Sequence, residues 1–170
     1  QDPLFRALLT RYMDEEATPT LAEVPGVDLA EYKRTLIERF SNAEVRDTVA
    51  RLAAESSDRI PKWLLPVIRA QLETGGPIAC SAAVVASWAR YAEGVDEQGE
   101  PIEVVDRLRD RLTAAAREGG DAFVADRELF GALAGDERFV AAYRGALTSL
   151  HERGARATLE TLAAGGMLDA

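Results

Sequence analysis

The sequence predicts an all-α fold, a multi-helical bundle of about eight or nine helices with one of them buried at the centre. Three observations predict it. Apolar residues recur at helical spacing in nearly every segment, with capping residues ahead of them. The stretch "IACSAAVVASW", from Ile78 to Trp88, is apolar on almost every face, as a helix surrounded by other helices must be. Only one short β-branched piece, around Ile102, reads as extended.

The elements follow in order. Asp2-Pro3 opens the first helix, with Leu4, Leu8, Leu9, Tyr12 and Met13 on its stripe. It stops before "ATPTLAEVPG", a connector broken by Pro19 and Pro25-Gly26. Asp28 caps a second helix that carries Leu29, Tyr32, Leu36 and Phe40. Ser41-Asn42-Ala43-Glu44 has the form of a capping box, which predicts a third helix with Val45, Val49 and Leu52 turned inward. Pro61 is expected to begin a fourth, running to Thr74 and stopped by Gly75-Gly76. The central helix comes next, then a polar turn in "EGVDEQGEPIEVVD". Helices resume over residues 106–118 and 121–133. Asp136 caps a long helix through Glu152 that stops near Gly154, and a last helix ends near Ala164.

The 170 residues are 47% hydrophobic and 29% charged, enough to bury a core. No apolar run approaches the roughly 20 residues of a membrane span. A net charge of −9 argues against nucleic acid as a partner. The single cysteine, Cys80, reads as a small core residue, and with no partner for a disulfide it fits a reducing, cytoplasmic setting. The N-terminus has neither the basic nor the apolar region of a signal peptide. The chain begins with Gln rather than Met, as expected if something was removed or if it is a piece cut from a longer protein.

The inventory also restricts chemistry. One histidine and one cysteine cannot supply a conventional zinc site. His151, in "TSLHERG", sits where a helix C-terminus favours a cation. "TGGPI", "EGGDAF" and "AGGML" read as helix stops, not as a dinucleotide-binding loop. The acidic groups Asp14-Glu15-Glu16 and Asp96-Glu97 read as solvated faces and turns.

The segment "SSDRIPKW" is the exception. If Pro61 starts a helix, Arg59 and Lys62 stand at its positive end, which disfavours each by a few tenths to about 1 kcal/mol. Arg51 lies on the preceding helix, about 100° from the inward stripe at Leu52. Two readings follow. The cations pair with Glu44, Asp47, Glu55 and Asp58, or Arg51 and Arg59 converge across the corner as a donor-rich wall for hydroxyls or a carboxylate.

Five blocks carry a resemblance: "DPLFRALLTRYMDEEATPTL", "VDLAEYKRTLIERFSNAEVRDTVARLA", "SSDRIPKWLLP", "SWARYAEGVDEQGEPIEVVD" and "DERFVAAYRGALTSLHERGARATLETL". In this order they resemble the long-chain mannitol (polyol) dehydrogenase family over nearly the whole chain. The resemblance implies an N-terminal Rossmann-type domain that binds NAD or NADP. It implies a helical C-terminal domain similar to that of 6-phosphogluconate-dehydrogenase-like enzymes, and no metal. It also implies interconversion of a polyol and its 2-ketose, such as mannitol and fructose.

The family's catalytic Lys-x4-Asn-x2-His motif is absent, since Val45 stands three positions after the only asparagine, Asn42. No catalytic residue is therefore expected here, and residues 1–170 read as the substrate-binding domain, with its own Rossmann domain as partner. The resemblance assigns substrate contacts to Arg51, to Arg59 (where the family usually has lysine in "GSSKxP"), and a supporting role to Lys62. Two alternatives stand beside it: a fructuronate (hexuronate) reductase of the same family, and a non-catalytic helical interaction module.

Overall fold

Residues 2–23, 25–42, 44 and 48–168 are described by a computed structural model of the chain. Among them no strand forms, and the one piece of extended pairing is an isolated antiparallel bridge between Val95 and Pro101. The architecture is all-α, as the periodicity predicted.

Asp2 accepts a hydrogen bond from the Leu4 amide at 2.9 Å and caps α1 (Pro3–Arg11). The helix does not end where the connector begins. It widens into a π-helical turn, Tyr12–Ala17, and tightens into a 3-10 turn, Thr18–Thr20. Asp28 caps α2 (Leu29–Phe40) by accepting from the Ala30 and Glu31 amides. α2 buries no residue, and Lys33 ties it to Asp14. The capping box of residues 41–44 and the inward place expected of Val45 fall partly outside the described residues. The third helix is short: α3 (Val49–Ala53), capped by Thr48. Its Val49 and Leu52 are exposed at 75% and 55%, not inward, because the described residues place nothing over that face.

The expectation for Pro61 is corrected. α4 runs Ser56–Trp63 with Pro61 inside it, and α5 runs Leu65–Thr74 with Pro66 in its first turn. It is Pro66, not Pro61, that obeys the start rule. α4 begins early because Glu55 adopts a left-handed conformation (φ 54°), which turns the chain sharply after α3. Arg59 and Lys62 therefore do not oppose a helix dipole. Lys62 lies in the last turn of α4, where a cation is favoured.

Gly75, at φ 73°, ends α5 as predicted. α6 (Ala79–Ala92) is the buried centre; Cys80, Ser81, Ala82, Ala83, Val85, Ala86, Trp88, Ala89 and Ala92 are all withdrawn from solvent. Its small residues let α10 (Glu137–Ala163) lie close along it. Between them in sequence come α7 (Arg109–Glu118), α8 (Gly120–Val124), α9 (Arg127–Phe130) and a 3-10 turn, Gly131–Gly135. An aromatic chain seals the core. Trp88 meets Phe123 edge-on at 5.0 Å, and Phe130 continues to Phe139 and Tyr143. Each such pair adds about 0.5–1.5 kcal/mol beyond burial. α10 breaks at Gly154 (φ 79°, ψ 170°), so the stop expected there and the last helix are both present.

Glu16 corrects the reading of its acidic run. It is fully buried in the π turn and reaches the start of α6, accepting from the Cys80 amide at 2.6 Å, the Ser81 amide at 2.8 Å and the Ser81 hydroxyl. A carboxylate there replaces a local helix cap and meets the positive end of the dipole. Burial, with the Glu16 charge second, pushes the Cys80 thiol up to about 12.

Candidate functional site

The predicted site residues occupy one corner, where α3 meets α4. Thr48 accepts from the Arg51 amide at 3.2 Å and starts α3, which leaves the Arg51 side chain on an exposed surface. After Glu55 the chain reverses, and α4 carries Arg59 back toward α3. The Arg59 guanidinium donates to the Leu52 carbonyl at 2.7 Å and to the Ala54 carbonyl. It thereby satisfies two acceptors at the end of α3. The structure brings Arg59 to the residue next to Arg51; Lys62 and the 74%-exposed Trp63 follow at the outer end of α4.

Of the acidic partners considered, Asp58 pairs with Arg107 at 2.7 Å, and Glu55 accepts from the Arg107 amide at 3.1 Å. The hydrogen bond that the Arg107 guanidinium donates to Asp58, and the Asp58 charge, hold this exposed group above its ordinary value. Asp47 lies outside the described residues.

The corner is braced from behind by residues that sequence reasoning missed. Asp106 was expected to open a helix, but α7 begins at Arg109. The Asp106 carboxylate instead accepts from the Ser57 amide at 2.9 Å, the Ser57 hydroxyl at 2.6 Å and the Leu108 amide at 2.8 Å. The last of these was visible locally, as an Asp two residues before the amide it holds. The bonds to Ser57 span 49 positions and left no local signal.

Concavities border the described residues. One of about 540 Å³ is lined by Glu55, Val105, Asp106 and Arg107; one of about 600 Å³ is lined by Arg6, Arg11, Glu15 and Ala163. Neither is walled by Arg51, Arg59 or Lys62. Arg51, Arg59 and Lys62 are all exposed, so the described residues make the corner a donor-bearing surface. Among the described residues no group of three or more His, Cys, Asp or Glu is placed to hold a metal ion. No described helix is long and apolar enough to cross a membrane.

The family model for the mannitol dehydrogenase C-terminal domain matches residues 1–151. The chain belongs to that family. Mannitol 2-dehydrogenase from Aspergillus fumigatus is 40% identical over 162 residues, 93% of this chain and 32% of the relative. The same-named protein from Phaeosphaeria nodorum is 38% identical over 159 residues, 93% of this chain and 28% of the relative. This mannitol dehydrogenase C-terminal domain therefore spans about a third of the length of the curated relatives it matches. Among solved structures it is similar to Pseudomonas fluorescens mannitol 2-dehydrogenase in ternary complex with NAD and D-mannitol. That likeness has a TM-score of 0.88 at 36% identity and covers 95% of this chain and 34% of that one. A D-sorbitol dehydrogenase in substrate-free form shares the fold, with a TM-score of 0.83 at 20% identity, over 94% of this chain and 34% of that one.

Proposed function

We propose that residues 1–170 are the substrate-binding domain of an NAD(P)-dependent polyol 2-dehydrogenase that interconverts mannitol and fructose in a reducing, cytoplasmic setting. The observation that carries this reading is the 36%-identical likeness, over 95% of the chain, to an enzyme solved with NAD and D-mannitol. Arg51 and Arg59 supply hydrogen-bond donors to sugar oxygens, and Lys62 adds positive charge beside them. Arg59 has five N–H donors, so holding two α3 carbonyls leaves part of its fork for a ligand.

The described residues do not fit a dinucleotide. No described strand leads into a glycine-rich loop; Gly75 stops α5, and Gly119 and Gly120 link α7 to α8. This supports the reading in which a separate Rossmann-type domain holds the nicotinamide cofactor, and no chemical step is assigned to side chains here. Support for a covering domain comes from the surface. Val49, Leu52 and Trp63 stand exposed on the same two helices as the cations, and Phe40 is exposed on α2 just before them. Exposed apolar side chains on these elements support a docking face.

The test is a panel of hexitols, pentitols and hexuronates with NAD and with NADP, run on the full-length gene product. Mannitol oxidation and fructose reduction are expected. Preference for a hexuronate would move the assignment to the reductase, and no turnover of either class would leave the interaction module.

A further inference from the structure

We propose that Asp106 is a positioning residue for substrate binding, one that sets the α3–α4 corner by clamping Ser57 from a loop 49 residues away. The proposal rests on the reading of Arg51 and Arg59 as substrate contacts and adds the group that fixes where they stand.

The argument starts from what α4 lacks. Its N-cap, Glu55, makes no side-chain cap; the Glu55 carbonyl takes the Asp58 amide at 3.2 Å, while the Ser57 amide is held from outside the helix, by Asp106. The helix also follows a residue in left-handed geometry, which is strained for a non-glycine side chain. Such a turn persists only where its surroundings over-determine it. Residues 105–107 do this. The Glu55 amide donates to the Val105 carbonyl at 2.8 Å, and the Arg107 amide returns a bond to the Glu55 carboxylate.

Asp106 is the innermost part of the brace. Ser57 is only 3% exposed, and both of its donors end on this one carboxylate, the amide on Oδ2 and the hydroxyl on Oδ1. Oδ1 also holds the Leu108 amide, so the carboxylate is fixed to its own loop. Ser57 is two residues before Arg59. Rotating or sliding the first turn of α4 displaces Arg59 from the Leu52 carbonyl, and the end of α3 moves with it. Asp106 touches neither arginine; it acts through Ser57.

Asp106→Asn keeps the size but presents one acceptor where two are needed, so one Ser57 donor loses its partner. Ser57→Ala removes only the hydroxyl bond and serves if the first variant does not fold. Both are made in the full-length gene product, with Arg51→Ala as the reference. The expected result is a KM for the polyol raised about tenfold, with kcat changed less than about threefold and the dinucleotide KM unmoved. Ser57→Thr, which restores a hydroxyl, should recover most of the loss. A lowered unfolding midpoint with an unchanged polyol KM makes Asp106 a plain structural brace and overturns the proposal. If Arg51→Ala raises KM while both brace variants do not, positioning alone fails. If Arg51→Ala leaves KM unchanged, the substrate reading fails and takes the proposal with it.

Discussion

The guanidinium of Arg59 donates to the carbonyl of Leu52 at 2.7 Å, so a cation of α4 closes the end of the helix that carries Arg51. The two arginines consequently have different physical roles. Arg51 projects from an exposed surface of α3, whereas Arg59 both holds that helix end and offers its remaining donors outward.

This difference predicts unlike mutants. In the full-length gene product, Arg51→Ala should weaken polyol binding about 10- to 100-fold, the range for a charge-assisted hydrogen bond. Arg59→Ala should raise the polyol KM and also destabilise the fold by about 1 kcal/mol, because two carbonyls lose their donor. Steady-state kinetics and urea titration on the same preparations check both. An Arg59→Ala variant as stable as the parent would remove the helix-end role of Arg59.

The all-α class, the Asp28 and Asp136 caps, the buried centre at α6 and the break at Gly154 were legible because each depends on residues within one or two helical turns. The corner was not. Pro61 looked like a helix start because Pro favours the first turn, but the start of α4 is set by the Glu55 turn and by Asp106, 49 positions from Ser57. Val49 and Leu52 follow helical spacing, yet the described residues leave that side uncovered. Periodicity marks a face to be buried, not which partner buries it. Arg51, Arg59 and Lys62 became candidates through resemblance, joined for Arg51 to helical spacing and for Arg59 and Lys62 to a dipole argument that the structure removes.

Glu16 gives a stability prediction. Three donors converge on its fully buried carboxylate, two of them amides at the start of α6. Glu16→Ala leaves those donors without an acceptor at about 1–3 kcal/mol each, a large share of the 5–15 kcal/mol that holds an ordinary domain together. The variant is expected to lose cooperative unfolding near room temperature, and Glu16→Gln to lose less, since one acceptor remains. A urea curve for Glu16→Ala within 1 kcal/mol of the parent would contradict the capping role.

Cys80 gives a pH prediction with a definite sign. Burial first, and the Glu16 charge second, raise its thiol to about 12, while an unfolded thiol titrates near 8.5. Above about pH 9 the unfolded chain gives up a proton that the folded chain keeps. Stability is therefore intact below that point and falls as pH rises toward 12. Between pH 9 and 11 the parent should lose more stability than Cys80→Ala, which has no thiol to ionise. Because the thiolate is the nucleophile, iodoacetamide should label the native chain at pH 8 at least about 100-fold more slowly than the urea-unfolded chain. Rapid native labelling would show the thiol to be accessible and its proton labile.

Gly154 and Glu97 together set the direction of the last helix. Gly154 holds φ 79° and ψ 170°, a region open essentially to glycine alone, and a Cβ there would meet the Glu97 carboxylate at 3.1 Å. That carboxylate accepts from the Ala155 amide at 2.6 Å and so caps the segment after the break from a different part of the chain. Leu162, fully buried, is carried by that segment, and its carbonyl accepts from Arg11 on α1 at 2.6 Å. Gly154→Ala must either strain this backbone or straighten α10, and straightening pulls Leu162 out of the core. We expect a loss of about 1–3 kcal/mol for Gly154→Ala and about 0.5–2 kcal/mol for Glu97→Ala. The double variant should lose less than the sum, because the cap has value only where the break exists. A double-mutant cycle by chemical denaturation measures this directly; strict additivity would mean that the break and its cap are independent.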